Sequence, residues 1–208
     1  MERPILFLAP MVQAILNGTK TQTRRIIKPE PFLNKQYSSN DPKYKEWFSM
    51  NGSHNDCPDK WIQLAPYGKP GDILWVRETW SPIEFESGTH YRYKATFTEN
   101  TGLHPKWKPS IHMPKVACRL RLMIKSIRVE RLQDISIEDA KAEGIGRWIE
   151  ERMRSKPEHY AIYYREPGDD SLYSSCPILS YETLWQKING PDSWSKNPWV
   201  WVIEFKKL

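Results

Sequence analysis

Between Gly18 and Arg25 the chain reads Gly18-Thr19-Lys20-Thr21-Gln22-Thr23-Arg24-Arg25, which sets one amine, three hydroxyls and two guanidinium groups behind a glycine. Two kinds of chemistry are open to such a strip. As a charged surface it would grip phosphate, because guanidinium and ammonium groups form strong hydrogen bonds to anions. As a reaction centre it would pair Lys20 with Thr23, the amine taking the hydroxyl proton so that the oxygen becomes a nucleophile. For that role Lys20 must be partly neutral, which requires burial or a nearby cation such as Arg24 or Arg25. Spacing sets a second condition. Residues three apart on a regular strand point to opposite faces, so Lys20 must sit in a turn, or a bulge must intervene, before it can meet Thr23. The competing reading of Lys20 and Arg24 is an exposed basic edge that discourages strand pairing.

The elements that must position this strip lie on either side of it. Pro4 to Leu8 reads as a short buried strand and Met11 to Asn17 as a helix, with Pro10 in its first turn and Gly18 just past its end. Gln22 to Ile27 is then a strand, stopped by Lys28-Pro29, and residues 29–66 read as an insertion rich in Pro, Asn, Ser and Lys. Gly71-Asp72 opens an apolar run through Trp80 that has the composition of a core strand, with Tyr91 to Phe97 as its expected neighbour. Val116 to Leu132 alternates, placing Val116, Cys118, Leu120 and Leu122 on one side and Arg119 and Arg121 on the other, as in one bent strand or two. Ser136-Ile137-Glu138-Asp139 resembles a capping box that starts a helix through Glu143, and Gly144 can end it. Residues 145–177 form a second variable stretch, with a short helix expected near Arg147 to Arg154. A helix from Ser180 to Ile188 stops at Asn189-Gly190, and Trp199 to Phe205 alternates as a closing strand. Strands outnumber helices, which predicts an α+β fold on a small closed sheet with flanking helices.

Other side chains are candidates for binding. Trp75, Trp80, Trp107, Tyr91 and Tyr93 have the rings to stack a base or to fill a core. Arg77 and Glu78 suit either an ion pair or a cleft wall. Lys108 and His112 fit contacts to phosphate or base, and a hydrogen-bonded loop is the plain reading of His112. The five histidines are scattered without metal-ligand spacing, and no metal or cofactor is expected.

At 208 residues the chain suits one domain, or a domain of about 110 to 130 residues carrying insertions; the single domain over 1–208 with two insertions is the reading adopted. Lys and Arg total 31 against 25 Asp and Glu, and the formal charge of +6 favours polyanionic partners, or simply a mildly basic surface. Cys57, Cys118 and Cys176 make neither a disulfide framework nor a zinc site, so a reduced cytoplasmic setting is expected. The N-terminal apolar run is interrupted by Pro10 and Gln13, and no membrane anchoring is expected.

Taken in order, Ile15 to Arg25, Gly71-Asp72-Ile73-Leu74, Ala140-Lys141-Ala142-Glu143 and Val202-Ile203-Glu204-Phe205 resemble the ASCH domain, a branch of the PUA-like superfamily. The phrases Leu74 to Trp80, Trp107 to Pro114 and Asn197 to Trp201 look like a phage and prophage-borne subgroup of that family. The resemblance implies a small β-barrel whose cleft binds RNA, a nucleoside or modified nucleic acid. It also implies, from short bacterial amidohydrolases that act on N4-acetylcytidine, catalytic roles for Lys20, Thr23 and Glu143, with Thr21, Arg24 and Arg25 as support or phosphate contacts. This chain is far longer than those enzymes, so its insertions either cover the cleft or open it. A non-catalytic reader of modified nucleic acid, a ribonuclease-like activity and a phage interaction protein stand as alternatives.

Overall fold

The computed structural model describes residues 1–28, 62–98, 104–149, 162–165 and 173–208. Most of the expected insertion at 29–66, and residues 150–161 and 166–172 of the second, lie outside that set. The centre is a five-stranded sheet of β1 (Glu2–Leu6), β2 (Gln22–Ile26), β3 (Ile73–Arg77), β6 (Arg121–Arg131) and β10 (Trp199–Lys207). Its order is β1-β3-β6-β10-β2, with β1 and β3 parallel and the other pairs antiparallel. The α+β class follows directly. A closed ring of strands does not, because among the described residues β1 and β2 are not hydrogen-bonded to each other and stand at opposite ends of the order. Side chains span that gap instead: Arg25 on β2 donates from Nη2 to the Leu6 carbonyl at 2.6 Å.

Alternation along β10 explains how the sheet is covered. Trp201, Ile203 and Phe205 face a core shared with Val12 and Ile15 of helix α1 (Ala9–Leu16), while Val200 and Val202 face a second core. That second core contains Ala140 of helix α2 (Ile137–Ala142) and Tyr181, Leu184 and Trp185 of helix α3 (Pro177–Asn189). Period-two side-chain alternation makes a strand buried on both faces read as a continuous apolar run, as this one does.

Several local expectations are corrected. The apolar run from Gly71 breaks after Arg77, and Trp80 starts a separate strand, β4 (Trp80–Phe85). Tyr91 and Tyr93 belong to β5 (Gly88–Tyr93), which pairs with β4 and not with β3. Val116 lies in a 3-10 turn, Lys115–Ala117, and is 77% exposed, so the buried alternation starts at Leu120, just ahead of β6. Of the short helix expected near Arg147 to Arg154, residues 147–149 instead belong to β7 (Gly146–Ile149), which pairs with β8 (Ile162–Arg165), and the rest lies outside the described residues; β8 also pairs with β9 (Tyr173–Ser174). Backbone pairing with β8 outweighs the weak local helix preference there.

Candidate active site

The exit of α1 aims Lys20. Asn17 caps the helix and Gly18 takes a left-handed φ of +77°, a conformation that glycine adopts without the clash a Cβ would bring. The Ala14 carbonyl then accepts from the Thr19 amide at 2.9 Å, the Lys20 amide at 3.1 Å and the Thr19 hydroxyl at 3.0 Å. Three donors on one oxygen fix the turn. Lys20 thus precedes β2, outside its regular alternation, and makes an isolated antiparallel bridge with Glu143. Lys20 leaves the turn as a bridge residue ahead of β2, and the side chain it meets there is that of Glu143.

Glu143 arrives from the other side by a similar device. Ser136 caps α2, its hydroxyl accepting from the Asp139 amide at 3.0 Å, and the Glu143 amide closes the helix on the Asp139 carbonyl at 2.9 Å. Gly144, at φ +100°, turns the chain away immediately afterwards. The Thr21 amide donates to the Ala142 carbonyl at 2.9 Å, which clamps the two turns together.

Within this clamp the Lys20 amine donates to Glu143 Oε2 at 2.7 Å and to the Glu143 main-chain carbonyl at 2.8 Å. Lys20 is 2% exposed and Glu143 3%. Burial pulls the Lys20 ammonium below the ordinary lysine range; Glu143 opposes that shift, and Arg25 and Arg24 reinforce it. Arg24 occupies the other oxygen of the same carboxylate, with Nη1 at 3.3 Å from Glu143 Oε1. Its remaining donors are held by Glu130 Oε1, at 3.1 Å from Nε and 2.5 Å from Nη2, and by Asp139 Oδ2 at 2.9 Å. Arg128 ties the outer carboxylates together, donating to Glu130 at 3.1 Å, to Asp139 at 2.9 Å and to Glu204 at 2.6 Å. Burial works against the Arg24 charge, but the Glu143 and Glu130 carboxylates more than offset it and hold the guanidinium protonated.

A cavity of about 270 Å³ opens against this arrangement, with Thr23, Arg24 and Glu143 on its floor. Tyr181, Leu184, Trp185 and Ile188 of α3 form one wall, at the three- and four-residue spacing that gives one face of a helix. Met11 and Tyr67 face it as well, and Arg25 and the exposed Lys28 add cationic groups to the lining. Burial and the adjacent Glu143 keep the Tyr181 phenol well above the usual tyrosine range, so it is a neutral group in this cavity.

Of the residues singled out from sequence, the structure therefore brings Lys20 and Glu143 into contact and places Thr23 with Glu143 on one cavity. Arg24 lines the same cavity and holds the second oxygen of Glu143, and the exposed-edge reading of Lys20 and Arg24 fails because both are buried. Arg25 lies over the Phe7 ring at 5.2 Å, on the same ring that the Lys20 amine approaches at 5.8 Å. Thr21 is exposed beside the clamp. The remaining candidates gather elsewhere and do not line the cavity. Glu78 is buried and takes a two-pronged ion pair from Arg119, at 2.8 and 2.9 Å, leaving Arg77 to stack over Trp75 and donate to the Ile111 carbonyl. Trp80 is 6% exposed with Lys108 over its ring, and His112 is exposed in a 3-10 turn, Ser110–His112.

Glu130, Asp139, Arg128, Tyr181 and Trp185 were not anticipated. Asp139 and Glu143 are four residues apart on one short helix, a spacing that puts both carboxylates on one face, and that was the available signal. Among the described residues no cluster of His, Cys, Asp or Glu is placed to hold a metal ion, and no helix is long and apolar enough to cross a membrane. No family model, no curated protein and no solved structure matches the chain.

Proposed function

We propose that this protein is an ASCH-like amidohydrolase of the PUA-like superfamily, which removes the acyl group from N4-acylated cytidine-type substrates in the cavity above Thr23 and Glu143. The observation that carries this reading is the buried 2.7 Å contact of Lys20 with Glu143, a carboxylate that lines one cavity together with Thr23. Burial lets this lysine lose its proton at a lower pH than an exposed lysine does, which is the direction a general base needs.

The chemistry runs as follows. The Thr23 hydroxyl attacks the acyl carbon, and its proton passes to the Lys20–Glu143 pair. The carbon–nitrogen bond breaks, the pair returns the proton to the leaving exocyclic amine, and cytidine departs. Water then attacks the acyl ester on Thr23 with the same pair as base, releasing a carboxylic acid and restoring the hydroxyl. Arg24 holds Glu143 in place through both steps. At about 270 Å³ the cavity falls just below the usual ligand-pocket range of roughly 300–1,000 Å³, which suits one base or nucleoside, or one base extruded from a strand. Arg25 and Lys28 supply positive charge for the phosphates of a nucleotide or nucleic acid.

Purified protein incubated with N4-acetylcytidine, and with N4-acetylated RNA and DNA, should release the deacetylated product, detectable by chromatography and mass. Lys20→Ala and Thr23→Ala should abolish it. Absence of product from every compound, at enzyme equal to substrate, removes the hydrolase reading; binding of the same compounds without product makes the cavity a reader of modified bases.

A further inference from the structure

Attack by Thr23 pushes the carbonyl electron pair on to the acyl oxygen, and such a step is fast where a fixed hydrogen-bond donor meets that charge. Most donors around the cavity are taken or shut off. Each nitrogen of Arg24 is held by a carboxylate of Glu130, Asp139 or Glu143, and Arg25 turns Nη2 across to the Leu6 carbonyl. Arg25 Nε and the Trp185 indole nitrogen are closed to water, and the Asn189 amide donates to the Trp185 carbonyl at 3.1 Å. Tyr181 differs from all of these. It is 3% exposed and lines the cavity, and its hydroxyl makes no hydrogen bond with any described residue. Unlike the two closed nitrogens, that oxygen is open to an occupant of the cavity. The Thr23 hydroxyl is in the same condition, buried as a residue, open at its oxygen and without a partner among the described residues.

Position singles Tyr181 out from the other phenol of the lining. The Arg24 guanidinium lies 5.9 Å from the Tyr181 ring centre and binds Glu143 Oε1 at 3.3 Å, so the ring stands close to the carboxylate that the Lys20 amine contacts. Burial and Glu143 together keep this phenol protonated, whereas burial of the Tyr67 phenol is opposed by Arg25. Lys20 and Arg24 already occupy both Glu143 oxygens, which leaves the Tyr181 hydroxyl for a ligand. We propose that Tyr181 is a further catalytic residue, its hydroxyl donating to the acyl oxygen as negative charge develops there. The inference rests on the reading of the cavity as a site of amide hydrolysis. When Thr23 Oγ bonds to the acyl carbon, the carbonyl pair moves on to oxygen and is held by the Tyr181 O–H. When the carbon–nitrogen bond breaks, the pair returns to restore the carbonyl, and the phenol keeps its proton throughout. The same donor serves the attack of water on the ester. A contact that strengthens as charge grows lowers the barrier more than it tightens substrate binding.

Tyr181→Phe keeps the ring against Trp185 and Trp194, at centroid distances of 6.2 Å each, and removes only the hydroxyl. Because that hydroxyl holds no described residue, the melting temperature should stay at the wild-type value. On N4-acetylcytidine kcat should fall roughly 10²–10³-fold, the loss expected for one oxyanion donor, with KM little changed. The N4-thioacetyl analogue, whose sulfur accepts hydrogen bonds poorly, separates contact with the acyl oxygen from a general disturbance of the cavity. The ratio of the oxygen to the sulfur substrate's kcat should be smaller in Tyr181→Phe than in wild type, because the two changes delete the same hydrogen bond and their losses do not add. The proposal is overturned by an undiminished kcat in the variant, by equal losses on the two substrates, or by a marked fall in melting temperature. Turnover by wild type with an undiminished variant sinks this inference and leaves the hydrolase reading standing; no turnover by wild type removes both.

Discussion

The Lys20 side chain has no access to solvent, and its behaviour follows from two opposing influences. Burial penalises the ammonium, while the carboxylate at 2.7 Å favours it, and the neighbouring Arg25 and Arg24 add to the penalty. The net shift lies below the ordinary lysine value of 10.5. The folded protein therefore binds fewer protons than the unfolded chain in the window between the depressed value and 10.5, and the contribution of Lys20 to stability rises with pH across it. Denaturant titrations of wild type and Lys20→Met should show their difference moving in favour of wild type as pH climbs through that window. A constant difference is the contrary result. At neutral pH the variant should lose about 3 kcal/mol, the low end for breaking a buried pair, because Arg24 still holds the other oxygen of Glu143. Activity on N4-acetylcytidine should increase with pH along the same limb. Glu143→Gln, which keeps the shape and removes the charge, should lower kcat by roughly a hundred-fold or more.

The elements that deliver these side chains are short, and each depends on its ends. Helix α2 spans Ile137–Ala142, too short to persist by propensity alone, and carries Asp139 on its first turn and Glu143 at its cap. Ser136 satisfies the Asp139 amide, so Ser136→Ala should cost about 1 kcal/mol of stability. Because the same turn orients Asp139 against Arg24 and Arg128, kcat should fall as well, while Ser136→Asp, another good cap, should preserve both. Thermal melts and steady-state kinetics on the two variants check this. At this scale the chain was largely legible: Pro10, Gly18, Ser136 and Gly144 are local signals, and each marks an end that the structure also has. The 146–149 strand escaped notice because its partner, β8, is supplied from elsewhere in the chain. Alternation could not distinguish one run from Gly71 to Trp80 from two strands that separate after Arg77.

For the whole molecule, the decisive contact is the one across the gap between β1 and β2. Backbone hydrogen bonds do not cross it among the described residues, and the Arg25 guanidinium does, reaching Leu6 at 2.6 Å over the Phe7 ring. Phe7 packs on to Phe205 at a centroid distance of 6.1 Å, so the same ring joins both edges of the sheet to its interior. Arg25→Met keeps much of the side-chain bulk and removes the donor. It should speed amide exchange in β1 and β2 while leaving β6 and the centre of β10 protected, as followed by hydrogen–deuterium exchange. Uniform acceleration in all four strands would instead indicate loss of global stability.

Residue types and spacing by themselves determined the parts: a helix that exits through glycine into Lys20, a capped helix that ends at Glu143, an α+β set of strands, and a closing strand apolar on both faces. These depend on period, capping and turn chemistry, which act over a few residues and leave their mark locally. Only the tertiary structure decided that Lys20 and Glu143, 123 residues apart, share a proton-transfer distance. It also decided that Arg24 is enclosed by three carboxylates and that α3 contributes an aromatic and aliphatic wall to the cavity. Burial is a property of what covers a residue, and for Lys20 and Arg24 that cover comes from distant segments. The sequence could name the amine, but the exclusion of water by those segments is what lowers its affinity for a proton.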